Sequence, residues 1–333
     1  MIIHIIRLDK FIPSFINFVN NNFNKKNHLF IVLGSKNDIY GKVDSNNIIF
    51  ITSRIQIFYV LKFMYKAEKI IIHGLWSGKL IYMMFFQPWL LKKSYHVMWG
   101  GDFYFPEKQS WIKKQVIKQM GHFATYIKGD YELAQKWYGT KGEYHECFMY
   151  TSNLYKEYNV IEKAHNGINI QVGNSADPSN NHIDVLKQLE KYKEEDINIF
   201  VPLSYGDVNY ANEVISFGKK MFGNKFHPMT EFMPFENYLV FLGEIDIALF
   251  AHKRQQAMGN TISLLGLGKK VYMRSDITPW KLFQDIDIKV FDVESISLEL
   301  FTDNEKEKNK KKIKEYFSEE NYLKQLKKLF ESK

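Results

Sequence analysis

QVGNSADPSNNH, residues 171–182, decides the reading of this chain. GINI (167–170) before it has the make-up of a strand. IDVLKQLEKY (183–192) after it has apolar residues at helical spacing. The turn between them is crowded with small, amide and hydroxyl side chains. A strand that passes directly into a helix is the unit of a parallel sheet covered by helices, and such sheets bind ligands beyond the carboxyl ends of their strands. Gly173 lets the backbone approach a ligand closely. Asn174, Ser175, Ser179 and Asn180, with the free N–H groups of the helix start, offer donors suited to phosphate oxygens. The plainer reading is an ordinary capped turn, with Ser179, Asn180 or Asn181 as the cap.

Working outward, the same alternation fills the chain. In the first half, strand-length apolar runs lie at 2–6, 29–34, 47–52, 69–74, 95–100 and 124–129, separated by amphipathic stretches such as RIQIFYVLKFMYKA and KQSWIKKQVIKQM. In the second half they lie at 167–173, 197–203, 246–251 and 269–274. The expected fold class is therefore α/β: two doubly wound, Rossmann-like domains facing a central cleft. The first spans 1–155 and the second 165–312, joined by the polar segment 150–166. A final helix over 313–333 is free to pack back on the first domain.

A second strand-to-helix turn, AHKRQQAMGNTISLLGLGKKV (251–271), is also rich in donors. Arg254 is suited to a bidentate grip on phosphate, better than Lys253. Gln255, Gln256, Gly259, Asn260 and Thr261 surround a helix start whose N–H groups favour an anion. VPLSYGD (201–207) places Ser204 and Tyr205 at a third strand end, where a sugar or base can be met. Phe235 and Tyr238 read as base-stacking groups or as core. In the first half, HGLWSG (73–78) and HVMWGGDFY (96–104) supply His73, His96 and Asp102 as candidate general bases. Asp130, in KGDYE, reads as a helix cap.

Other chemistries are poorly served. There is no GxGxxG, P-loop or GxSxG motif. A single cysteine, Cys147, excludes an internal disulfide framework and is a poor start for a zinc site. Nothing in the sequence requires a metal or other cofactor, so metal-independent chemistry is expected. The formal net charge of +8 suits phosphorylated ligands or anionic lipid. Its densest run, 304–317, also carries glutamates, and no nucleic-acid signature is present. LIYMMFFQPWLL (80–91) is shorter than the ~20 residues of a spanning helix. It reads as a core helix or, with Lys92 and Lys93, as a membrane contact.

These residues resemble glycosyltransferase family 56. The resemblance lies in HG (73–74), WGGDFY (99–104), KGD (128–130), VGNSADPSNNHI (172–183), VPLSY (201–205), RQQAMGN (254–260) and TPW (278–280). The motif around 172–183 is its specific part; the first ~70 residues match weakly. The resemblance implies a GT-B fold with the acceptor side first and the nucleotide-sugar side second. It implies a dTDP-sugar donor, with Fuc4NAc as the sugar, and an undecaprenyl-linked glycan acceptor. It places the reaction on the cytoplasmic face of the inner membrane, in enterobacterial common antigen or O-antigen synthesis. Ala176 and Pro178 stand where the family motif has Gly and Arg, which removes one phosphate contact. Two other readings are a sugar-nucleotide epimerase of the same architecture and a basic protein that binds anions or lipid.

Overall fold

The structure, a computed structural model, describes residues 1–34, 45–53, 55–157 and 165–331, apart from the side chain of Phe235. It divides into two compact units, Met1–Leu154 with Glu319–Lys333, and Tyr155–Ser318.

The first unit carries β1 (Ile2–Ile6), α1 (Ile12–Asn22), β2 (His28–Leu33), β3 (Ile48–Ile51), α2 (Ile57–Lys66), β4 (Lys69–His73), α3 (Gly78–Phe85), α4 (Pro88–Leu91), β5 (Ser94–Val97), α5 (Trp111–Gln119), β6 (His122–Ala124), α6 (Lys128–Tyr138) and β7 (Glu143–His145). Its strands are all parallel, in the order β3-β2-β1-β4-β5-β6-β7. β1 and β4 are buried along their whole length, as parallel strands covered on both faces must be. The direction of strand addition reverses between β1 and β4, so that junction is the switch point of the sheet.

The second unit carries β8 (Ile168–Val172), α7 (His182–Leu189), β9 (Ile197–Pro202), α8 (Val208–Phe222), β10 (Phe226–Met229), α9 (Phe235–Glu244), β11 (Ile247–Phe250), α10 (Met258–Gly266), β12 (Lys270–Met273), α11 (Thr278–Asp285), β13 (Phe291–Asp292) and α12 (Asp303–Tyr316). Its sheet runs β10-β9-β8-β11-β12-β13, again parallel, with its switch point between β8 and β11. Each unit has its own apolar core, on Ile3, Ile31, Ile70 and Phe123 in the first and on Ile170, Val201, Ile247 and Tyr272 in the second.

The chain ends in two helices where the sequence reading has one. α12 stops at Tyr316, and α13 (Glu319–Glu331) begins with two acids in its first turn, which suit a new helix start. Phe317, fully buried, and its carbonyl, which accepts the Tyr155 N–H at 2.9 Å, hold the break in the second unit. α13 belongs to the first. Its Tyr322 donates to the Met149 carbonyl at 2.8 Å, and its Gln325 accepts the Phe148 N–H at 3.0 Å. Asp130 is not a cap: α6 starts at Lys128, and Asp130 sits in its first turn, accepting the Tyr104 hydroxyl at 2.6 Å.

Candidate functional site

β8 and β11 are neighbours, so the loops that leave them lie side by side at the switch point of the second sheet. These are the two donor-rich turns of the sequence. Gly173 has φ +67°, and a Cβ there would lie 2.3 Å from His182 Nε2 and 2.8 Å from Asn180 Oδ1. Only glycine fits. Asn180 is spent on the loop itself: its Oδ1 accepts the Asn174 N–H at 2.9 Å and faces His252 Nε2 at 2.9 Å, while its amide reaches Ser175 Oγ and the Asp177 carbonyl. Asn181 is the residue before α7, in a left-handed conformation, and its amide donates across to the Ala251 carbonyl at 2.7 Å. Ser179 Oγ donates to Gln256 Oε1 at 2.9 Å, a second tie between the loops. Asp177 caps the short turn at 178–180.

Pro178 sits inside that turn. Ala176 pairs as an isolated bridge with Gly206, which carries the loop after β9 alongside. Tyr205 on that loop is 53% exposed, and its hydroxyl accepts from the Asn174 amide at 3.2 Å. Tyr238 is half-buried beside Phe241, and burial pushes the pKa of its hydroxyl up. The side chain of Phe235 lies outside the described residues.

α10 begins at Met258 behind Ala257, which is left-handed and has no side chain to cap the helix. The first N–H groups of α10, at Met258, Gly259 and Asn260, are thus left for another acceptor. Thr261 is not part of that face: it is buried, and its hydroxyl bonds the Ala257 carbonyl at 3.1 Å. Arg254 is half-buried and, among the described residues, bonded only to the neighbouring Gln255 carbonyl, at 3.1 Å. Among the described residues Asn174 Oδ1, His182 Nε2 and Gln255 Oε1 are buried with no partner, and unpaired buried polar atoms of this kind cluster where a ligand completes the bonding. Burial holds the imidazoles of His182 and His252 neutral, down at about 4 and about 3. The sequence reading took Asn181 only for a possible cap and passed over His182 and His252. Their positions next to the two turns were the available signal.

At the switch point of the first sheet, His73 and Asp102 are both spent within the protein. His73 is buried; its Nδ1 meets the Tyr150 hydroxyl at 2.7 Å and its Nε2 meets His4 Nδ1 at 3.2 Å, with His28 beyond His4 at 3.1 Å. Burial drives His73 down to about 3. Asp102 has no exposed surface. It accepts the Leu75 N–H at 3.1 Å, the Trp99 N–H at 3.0 Å and His96 Nε2 at 2.6 Å. Burial opposes its charge, but His96, the Leu75 N–H and Lys113 outweigh that and lower its pKa. Both side chains are buried with their polar atoms engaged inside the protein, as anchors of the loops after β4 and β5. Asp9, just past β1, is a half-exposed carboxylate at this switch point and was not singled out in the sequence. Around it stand Phe11, Trp99 and Tyr150 in mutual contact, and Trp76 lies on Gly74, edge-on to Trp99.

Two parallel doubly wound sheets with these switch points form a GT-B architecture. The structure is similar over 99% of its length to a glycosyltransferase from Rickettsia africae ESF-5, of which 97% is covered, at 13% identity and a TM-score of 0.68. It is similar over its full length, and over that of the other chain, to HepE of Anabaena in complex with UDP, at 10% identity and a TM-score of 0.71. WaaG, a glycosyltransferase involved in lipopolysaccharide biosynthesis, is covered fully at 10% identity and a TM-score of 0.62. At the level of sequence, residues 2–332 match the family described as 4-alpha-L-fucosyltransferase, glycosyl transferase group 56, and the chain belongs to that family.

Proposed function

We propose that this glycosyltransferase moves a deoxyhexose, 4-acetamido-4,6-dideoxygalactose (Fuc4NAc) or a close relative, from a dTDP-linked donor to an undecaprenyl-diphosphate-linked oligosaccharide of a bacterial surface polysaccharide. The observation that carries the donor half is the meeting of the two loops at the β8–β11 switch point. There the uncapped start of α10 and Arg254 supply positive potential, and Gly173, Asn174, Ser175 and Ser179 line the neighbouring turn. The diphosphate is the leaving group, and donors fixed before reaction stabilise the charge that grows on it without a metal. HepE, of the same fold, was solved with UDP and with glucose, which supports a nucleoside diphosphate sugar. The family description names transfer of fucose, itself a deoxyhexose. If the transfer inverts configuration, Asp9 is the base that takes the acceptor proton. Thermal shift with dTDP, UDP, GDP and CMP tests the donor. Selective stabilisation by dTDP is expected, at least tenfold weaker in Arg254→Ala; preference for another base overturns the dTDP assignment, and unchanged binding in Arg254→Ala removes that residue from the site.

The acceptor is lipid-linked, and the first unit has a surface suited to a bilayer. Among the described residues no helix is long and apolar enough to cross a membrane. Stretch 80–91 is split: Leu80, Ile81, Met84, Leu90 and Leu91 are core, while Tyr82, Phe86 and Trp89 are 55%, 68% and 53% exposed. Phe58, Tyr59 and Tyr65 of α2 and Trp111 of α5 are exposed too. Trp89 donates to the Tyr65 hydroxyl at 3.2 Å, and Phe85 joins Phe86 to Trp111, so α2 to α5 present one aromatic surface. Aromatic rings with a polar edge favour the headgroup region. We assign this surface to the cytoplasmic face of the inner membrane. Flotation with anionic liposomes checks it: wild type is expected to float and Phe86→Ser/Trp89→Ser to stay behind, while a wild type that stays behind at low salt refutes the assignment.

A further inference from the structure

In the first unit, three side chains of β6 and β7 converge. His122 opens β6, and Glu143 and His145 lie on β7. The two strands pair in parallel with His122 opposite Glu143 and Ala124 opposite His145. Side chains two apart share a face of a strand, so the register alone puts all three on one face. His122 Nδ1 lies 3.0 Å from His145 Nε2. Glu143 Oε2 lies 3.6 Å from the first nitrogen and 3.8 Å from the second.

We propose that His122, Glu143 and His145 bind a divalent transition-metal ion of the zinc type. Two ligands each about 2.0–2.2 Å from one zinc ion stand about 3.3 Å apart, and the three separations bracket that value. The rings are held for the purpose. Tyr95 stacks on His122 with centroids 4.1 Å apart and planes 9° apart, and it also touches His145 at 5.1 Å. Glu143 is largely exposed, which leaves further positions for water or a fourth ligand.

The surroundings choose among metals. The Lys69 ammonium lies 5.2 Å from the centre of the Tyr95 ring that packs on both imidazoles. That positive charge penalises any cation, and one carboxylate cannot offset it for magnesium or calcium, which rely on several oxygen ligands. Zinc, nickel or copper gain enough from two imidazoles. Lys69 is itself anchored, its ammonium on the Leu329 carbonyl at 2.7 Å. β7 is the last strand of its sheet and only three residues long. An ion shared by β6 and β7 therefore staples the edge strand to its neighbour, and has no part in sugar transfer.

The test uses untagged full-length protein, stripped with a chelator and titrated with cobalt(II) and zinc(II). Cobalt bound by two imidazoles and a carboxylate gives a visible absorption band, and its saturation reads binding directly. A single equivalent is expected, with zinc raising the melting temperature and magnesium leaving it unchanged. Glu143→Gln, at an exposed position, should melt like the stripped wild type yet bind at least about tenfold more weakly. His122→Gln/His145→Gln should not bind. No saturable binding by the wild type overturns the proposal. So does undiminished binding by Glu143→Gln or by the double histidine variant, which would put the metal elsewhere.

Discussion

At the scale of the residue, the sequence shows which atoms are present but not how they are spent. Asp102 and His73 read as bases because a carboxylate after Gly-Gly and a histidine at a strand end are free in principle. In the fold, every oxygen of Asp102 already accepts a bond and both nitrogens of His73 are engaged. Asn180 and Thr261 were misread for the same reason, since their polar atoms close their own loop or helix. Gly173 was read as room for a ligand to approach the backbone; in the fold its φ is +67°, and His182 and Asn180 occupy the space a Cβ would take. A paired substitution separates anchor from base. Asp102→Asn leaves His96 and the two N–H groups poorly matched and should cost about 3 kcal/mol or more of stability, as the breaking of a buried pair does. Asp9→Asn should leave the melting temperature within a degree or two and sharply lower transfer, with donor binding intact. Denaturant unfolding and a transfer assay read the two effects; a stable, inactive Asp102→Asn would restore Asp102 as the base.

At the scale of the element, apolar runs located most central strands to within a residue or two, because a parallel strand buried on both faces leaves no other pattern; β5 stops at Val97, three residues short of its run. Of the edge strands, β3 was legible from the run 47–52, but β7, β10 and β13 were not. β7 is Glu-Tyr-His, β10 contains Pro228 and β13 has two residues, so none carries an apolar run. The run at 124–129 is apolar for another reason: the strand ends at Ala124, and Thr125, Tyr126 and Ile127 are buried as a loop. α13 was legible as an amphipathic helix but not as a distinct one. It buries Tyr322, Leu326, Leu329 and Phe330, the last against His28 at 4.7 Å. Such side chains contribute about 1.5–3 kcal/mol each. A chain cut after Ser318 should therefore lose the cooperative unfolding of the first unit and keep that of the second. Calorimetry checks this, and two intact transitions in the shortened chain would refute it.

At the scale of the whole molecule, the alternation of strands and helices made the two-sheet class plain, while the histidine chemistry inside it was invisible. Burial lowers His28, His145 and His182 to about 4 and His73 and His252 to about 3, with His4 lowered further by its histidine neighbours. These rings stay neutral in the folded chain and take a proton when it unfolds below about pH 6.5. The stability they permit is whole above that pH and is lost as pH falls toward their folded values. Each contributes about 1.4 kcal/mol per pH unit in that window, against a total of about 5–15 kcal/mol for a domain. The chain should thus be indifferent to pH between 7 and 8 and unfold between about pH 6 and 4. Circular dichroism across that range checks it; a fold that persists at pH 4 would contradict the burial of these rings.

The return of α13 to the first unit also sets an order of events in the cell. Synthesis runs from the amino end, and the residues of the first sheet leave the ribosome long before the helix that covers Phe18, Phe23 and His28. The second unit is contiguous and is made whole before that helix emerges. During translation the amino-terminal half must therefore wait, with an aromatic face uncovered, while the later half completes its core. The part of this protein that is made first is the part that finishes folding last.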